Sequence, residues 1–198
     1  MLVIRVPKLS LLLLAALPLG VVAQSVDSMT VTDKLFFHAK SVYSLEALLE
    51  SGAYAGFLQV DNAPREWGQE AGGYGLRFAS TNAANTIYAG VAFGLDSTLH
   101  QDPRYYPCTG AGFWRRTGHA VRATILTRTD RGGETLSTWR LGGAYGAAFL
   151  SNAWYPERLN TVRLGAIEGS LWMGFDLVAN LGREFWPDVK RRLPRRKP

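Results

Sequence analysis

Small side chains recur at intervals of three and four residues through the middle of this 198-residue chain, and this spacing limits how it can fold. The clearest series consists of Ala79, Ala83, Thr86, Gly90 and Gly94. It predicts a long helix that starts between residues 69 and 74 and ends near residue 99. Glycine in a water-exposed helix costs about 1 kcal/mol relative to alanine. We therefore expect this smooth face to pack against another helix, because small residues let two backbones approach closely.

Apolar residues at the same spacing predict four further helices. The first begins with Thr32 as its N-cap and continues through Phe57 until Pro64 ends it. The others cover about 113–130, 137–155 and 161–189, and we expect Pro187 to kink or interrupt the last one. Further glycines predicted to lie in helix contacts are Gly142, Gly146, Gly165 and Gly169. The sequence thus predicts an all-α bundle of about five helices, in a single domain of residues 24–189.

The N-terminal residues have the pattern of a cleaved export signal. Arg5 and Lys8 precede the apolar run Leu11–Leu17, and Val21–Ala23 form a small-residue cleavage site. The apolar run is too short for a comfortable membrane span, although an uncleaved anchor helix is the alternative. We therefore predict that residues 1–23 are removed and that the protein is exported to the periplasm or cell envelope.

Positive charge is concentrated at the C-terminal end. The full chain carries +6, and loss of Arg5 and Lys8 leaves 20 basic against 16 acidic residues, or +4. Six of these basic residues lie within 190–198, so the remaining body has 14 against 16, or −2. We therefore expect no nucleic-acid partner. We expect the tail to be disordered, and either to meet anionic lipid head groups, worth about 1 kcal/mol per basic residue, or simply to stay solvated.

The stretch His100–Gly133 concentrates the side chains with the most chemistry, including two of the three histidines and the only cysteine, Cys108. The candidate cluster consists of His100, Asp102, Arg104, Tyr105, Trp114, Arg128 and Asp130. Arginine meets a carboxylate with two parallel hydrogen bonds. We therefore expect Arg104, Arg128 or Arg131 to pair with Asp102 or Asp130 and so to hold two helix ends together.

Catalytic patterns in this stretch are weak. A metal site would need His100 and Asp102 to meet His119, and a thiol dyad would need Cys108 to meet His119, but no motif brings these residues together. The chain has no serine elbow, phosphate loop or dinucleotide fingerprint. We therefore assign no catalytic residue, no metal site and no cofactor.

Several blocks of sequence carry a resemblance. They are His100–Tyr105 (HQDPRY), Phe113–Trp114, Arg128–Gly132 (RTD-x-G), Ser151–Pro156 and Glu184–Asp188 (EFWPD). In this order and spacing, over about residues 73–193, they resemble a group of exported bacterial proteins with no known activity. The resemblance implies export and names no catalytic residue.

Three hypotheses of function follow. The first is a non-enzymatic envelope protein, peripheral to or partly embedded in a membrane, whose partner is a membrane surface or another envelope protein. It is favoured because aromatic and basic residues lie together at the ends of the predicted helices, as in interfacial proteins. The second is a soluble periplasmic binding module with an apolar pocket lined by Tyr105, Tyr106, Phe113 and Trp114. The third is a metal-dependent hydrolase using His100, Asp102 and His119. The sequence does not indicate an oligomeric state.

We predict cleavage after Ala23, because small residues occupy the positions that a signal peptidase reads. Intact-mass measurement of protein purified from the envelope should find Gln24 as the first residue. A mass that includes Met1–Ala23 would contradict the prediction of export by a cleaved signal.

Overall fold

The computed structural model describes residues 28–108 and 112–192, and these form a mostly helical fold, as predicted. The described residues form six α-helices and one small antiparallel sheet. The predicted signal peptide, 1–23, lies outside the described residues. Residues 193–198 of the predicted basic tail also lie outside the described residues.

The predicted first helix is two helices, α1 (Val31–Tyr43) and α2 (Leu45–Val60). Thr30, rather than Thr32, caps α1: its hydroxyl accepts from Asp33 N at 3.2 Å, and Asp33 accepts from Thr30 N at 3.0 Å. Ser44 then leaves the helical conformation, and its hydroxyl accepts from Ala47 N at 3.2 Å. The apolar spacing continues across the break, which is why the sequence predicted one helix.

A short 3-10 turn at Arg65–Trp67 leads into the long helix α3 (Ala71–Thr98), close to its predicted limits. The fully buried Arg77 of α3 holds the preceding loop. Its guanidinium donates to the carbonyl oxygens of Ala63 at 2.9 Å, Pro64 at 2.8 Å and Gly68 at 2.8 Å, and to Gln59 Oε1 at 2.6 Å. These acceptors join the end of α2 to the start of α3.

A strand of the sheet replaces the C-terminal end of the predicted third helix, at residues 126–129. Helix α4 (Phe113–Ile125) ends where Leu126 becomes extended, and β2 (Leu126–Thr129) follows at once. This strand lies between β1 (Gln101–Asp102) and β3 (Glu134–Leu136), with Asp102 opposite Arg128 and Arg128 opposite Glu134. The prediction of a helix to residue 130 was wrong, because β-branched residues at 127 and 129 favour a strand that can pair on both sides.

Helices α5 (Thr138–Ser151) and α6 (Val162–Arg192) complete the fold near their predicted limits. Helix α5 packs between α3 and α6, while α1 and α2 cover α3 and α4 covers α6. Pro187 lies inside α6 without interrupting it, so the predicted restart is absent. Helix α6 also continues through residues 190–192, where we expected the disordered tail to begin.

Four of the six predicted packing glycines lie between helices. A Cβ atom on Gly142 would collide with Leu95 of α3, and one on Gly169 would collide with Tyr145 of α5. A Cβ atom on Gly146 would lie 3.5 Å from Val91 of α3, and one on Gly165 would lie 2.6 Å from Phe149 of α5.

The prediction for the ridge on α3 was wrong. Ala79, Ala83, Gly90 and Gly94 are exposed, and a Cβ on either glycine would meet no atom within 4 Å. Helix α3 carries small residues on several faces, and its contact with α5 uses the face that bears Tyr88, Val91 and Leu95 instead.

The distribution of side chains between inside and outside is unusual. Alanine and polar residues fill the interior, and the largest fully buried side chains include Arg77, Lys34, Glu184, Asn180 and Asp96. Many large apolar side chains lie outside, among them Val60 at 88% and Trp114 at 82% exposure. Among the described residues, none of the helices combines the length and the apolar character needed to cross a membrane.

We predict that Gly142→Leu will destabilise the protein, because the new side chain has to enter the contact with Leu95 of α3. Overpacking of this kind costs about 1–3 kcal/mol, measurable by chemical denaturation. Gly90→Leu is the matched control. It adds the same side chain in open space, and the helix propensity of leucine makes a small gain in stability the expected result. An equal loss in both variants would show that the outer face of α3 is covered in the purified protein.

Candidate functional site

The loop from Asp102 to Cys108 connects two carboxylates, and the first is Asp102 at the end of β1. Asp102 is buried and accepts from Arg104 N at 3.0 Å, Arg104 Nη2 at 2.7 Å and the Tyr106 hydroxyl at 2.7 Å. Burial by itself would raise the pKa of Asp102, but the hydrogen bonds from Arg104 and Tyr106 lower it below its usual value. Burial and the bond to Asp102 raise the pKa of Tyr106 to about 12. Asp102, Arg104 and Tyr106 form what we call the Asp102 cluster.

The second carboxylate is Glu184, which projects from α6 and is fully buried. It accepts from the hydroxyl of Tyr105, from Cys108 N at 2.9 Å and from Arg116 Nε at 3.3 Å, and His119 Nδ1 lies 3.3 Å away. Burial and the hydrogen bond from the Tyr105 hydroxyl to Glu184 raise the pKa of Tyr105 well above its usual value. We call this set the Glu184 cluster. It ties the loop and α4 to α6.

A third set of buried ionisable side chains holds α1 in position. Lys34 Nζ lies 2.8 Å from Asp130 Oδ2 and donates to the backbone oxygen of Asp96 at 3.1 Å. One turn later His38 Nε2 lies 2.6 Å from Asp96 Oδ2. The ring of His38 also meets the ring of Trp139 edge-on, with centroids 5.7 Å apart. Helix α1 is therefore joined to α3, α5 and the turn after β2 largely through polar groups.

The expected pairing of arginines with aspartates is only partly found. Asp102 does pair with Arg104, but the two residues are neighbours in one loop and do not join two helix ends. Asp130 pairs with Lys34 instead of an arginine, and Arg128 stacks on the ring of Tyr106 at 4.4 Å. The exposed Arg131 has no ion-pair partner among the described residues.

The four aromatic residues of the predicted pocket do not line a common cavity. Tyr105 and Tyr106 bind the carboxylates of Glu184 and Asp102 respectively. Phe113 and Trp114 are exposed at the start of α4, where they contact each other, and Phe113 contacts Phe185. Their placement gives the aromatic-pocket hypothesis no support.

The residues of the proposed hydrolase are also separated. His100 is exposed, with Nδ1 3.9 Å from Asp130, while His119 belongs to the Glu184 cluster and Asp102 to its own. Within residues 28–108 and 112–192, no three histidine, cysteine or acidic side chains are placed to hold a metal ion.

Sequence reasoning missed Lys34, His38, Asp96 and Glu184, whose charged or polar groups organise these clusters. One signal was available. Lys34, His38 and Val42 are spaced by four residues, so they share one face of α1, and that face is the buried one. The apolar residue next to Lys34, Leu35, is exposed instead, so apolar spacing alone does not identify the buried face of α1.

A scan of the chain against protein-family models finds no match, and searches of curated proteins and of solved structures find none either. The resemblance of the sequence blocks to exported proteins therefore stays a prediction.

We predict that Lys34→Met will strongly destabilise the protein, because it leaves Asp130 without a cation in a largely buried site. Removing one partner of a buried pair costs about 3–5 kcal/mol, which chemical denaturation would measure. Arg158→Gln breaks the exposed pair with Glu66, at 2.8 Å, and serves as the control. We expect little change from it, because exposed pairs contribute little. Equal stability of the Lys34 variant and the parent would refute a structural role for the buried pair.

Proposed function

We propose that this protein is a non-enzymatic, exported protein of the cell envelope that lies against a membrane through the apolar outer face of its last helix, α6. The observation that carries the proposal is the number of large apolar side chains on the surface, together with several charged side chains in the interior. Folded proteins in water rarely bury charged groups completely, yet here Lys34, Arg77 and Glu184 are buried while many large apolar residues lie outside. Large exposed apolar surfaces are a mark of contact with membranes or other proteins.

One apolar surface extends along most of α6. Its members follow helical spacing and are all exposed: Ile167, Leu171, Phe175, Val178, Trp186 and Val189. We call them the α6 stripe. A helix with one apolar and one polar face can lie in the plane of a membrane interface. The opposite side of α6 carries Asn180 and Glu184, which are buried against the rest of the protein.

Aromatic and basic residues meet at one end of this stripe. The ring centroids of Phe113 and Phe185 lie 5.3 Å apart, and Trp114 and Trp186 beside them are exposed. Basic residues nearby are Arg115, Lys190 and Arg191. Tryptophan prefers the head-group region of a bilayer, and basic residues are attracted to anionic lipids. These preferences favour a lipid surface over a protein partner as the occupant of the α6 stripe.

We test the proposal by flotation of the mature protein with lipid vesicles. The protein should float with phosphatidylcholine vesicles, bind more strongly when phosphatidylglycerol is added, and stay bound in high salt because the contact is largely apolar. The double variant Phe175→Gln, Val178→Gln should float poorly. Leu49→Gln, Phe57→Gln makes the same kind of change on exposed positions of α2 and should float like the parent. A folded parent that never floats, or an α6 variant that floats as well as the parent, would refute the proposal.

A further inference from the structure

A small cavity opens between the Asp102 cluster, the C-terminal half of α4 and strand β2. Its volume is about 40 Å³. A single water needs about 10–15 Å³ on the same measure, so there is room for a group the size of roughly three waters. The polar side chains around it include Arg104, Tyr106, His119, Arg122, Arg128 and Arg140. We call it the arginine cavity.

Three of its four arginines have a carboxylate partner. Arg104 lies 2.7 Å from Asp102. Arg122 lies 2.5 Å from Glu134. Arg140 lies 3.5 Å from Asp176.

Arg128 differs from the other three. No carboxylate of the described chain lies within ion-pair distance of it, and its guanidinium rests on the ring of Tyr106 at 4.4 Å. The cavity therefore has one more cation than its carboxylates balance, and an anion would supply the missing charge.

Arg140 is a second reason to expect a ligand here. The residue is only 4% exposed, and its Nη1 donates to the backbone oxygens of Ala123, at 2.8 Å, and Thr124, at 3.3 Å. Its buried Nε makes no hydrogen bond to the described groups, and the Asp176 carboxylate 3.5 Å away is the charge it faces. Burial lowers the pKa of Arg140. A nearby anion would stabilise its charged form, because it offsets the loss of solvation.

The donors present favour an anion with several oxygen atoms. Guanidinium groups offer fixed pairs of N–H donors that suit phosphate as well as carboxylate. The arginines line the cavity from the loop, from α4, from β2 and from α5, so they approach from different elements. A tetrahedral oxyanion can accept from several such directions, whereas a planar carboxylate has only two oxygens. His119 also lines the cavity and keeps Nδ1 towards Glu184, at 3.3 Å.

We propose that the arginine cavity binds a phosphate group, with Arg128 as the residue on which binding chiefly depends. The group would be either free inorganic phosphate or the phosphate of a lipid head group. This site is separate from the α6 stripe, so it is an addition to the proposed function and does not depend on it.

Inorganic phosphate is the probe for the first experiment, titrated calorimetrically into the purified mature protein. The parent should give saturable binding. Arg128→Gln should weaken it at least about tenfold, since hydrogen bonds to charged groups contribute about 1.5–3 kcal/mol. Arg128→Lys keeps the positive charge but loses the paired N–H donors, so its phosphate affinity should lie between those of the parent and Arg128→Gln.

The matched control is Arg131→Gln. It removes the same charge three residues away, from an exposed position outside the cavity, and should change the affinity by less than about twofold. Melting temperatures without phosphate establish that each variant is folded. The Arg128→Lys variant carries the test if Arg128→Gln does not fold.

A second experiment separates the two sources of phosphate. Vesicles of phosphatidylcholine, with or without phosphatidic acid, are floated with parent, Arg128→Gln and Arg131→Gln proteins. A lipid ligand predicts that the parent prefers phosphatidic acid and that only the Arg128 variant loses the preference. A free ligand predicts calorimetric binding without any such preference. Absence of both calorimetric binding and lipid preference in the parent would overturn the proposal, as would equal affinities of the folded Arg128 variants and the parent. Flotation on phosphatidylcholine alone tests the proposed function separately.

Discussion

Charge pairing inside the protein is the constraint on which the arrangement of its helices depends. Lys34 reaches Asp130 at 2.8 Å and His38 reaches Asp96 at 2.6 Å, and three of these four side chains are almost completely buried. A buried charge without a partner is expensive, so α1 has to sit where both acids are within reach. Glu184 imposes the same requirement on the loop, α4 and α6. Directional bonds thus fix positions that side-chain packing fixes in most helical proteins.

The composition of the interior connects the exposed apolar residues with the arginine cavity. Alanine and glycine line many of the helix contacts, and they bury little apolar area. Hydrogen bonds and ion pairs in the interior determine which helices meet, and many of the larger apolar residues lie on the surface. The same interior places four arginines around one small space, three of them balanced by Asp102, Glu134 and Asp176. The proposed membrane contact and the proposed anion site lie on different parts of the protein and are compatible in one fold.

Spacing along the sequence was sufficient to predict α3, α5 and α6, because long helices repeat their pattern many times. It did not reveal the break at Ser44, where only one residue changes conformation, or the short strand after Ile125. Gly142 was placed correctly in a helix contact, but Gly90 was not, since spacing shows that residues share a face without showing what that face meets. The partners of Lys34 and Glu184 lie more than sixty residues away, so no local pattern could identify them.

The loop around Arg77 resembles a metal-binding loop whose ion is a side chain. Three backbone oxygens and one side-chain amide oxygen lie 2.6–2.9 Å from the guanidinium nitrogens of Arg77. They surround this cation as carbonyl oxygens surround a bound calcium ion. Because this cation is covalently attached, its local concentration is fixed and chelators cannot remove it. The connection between α2 and α3 would therefore keep its shape whatever the concentration of divalent ions around the protein.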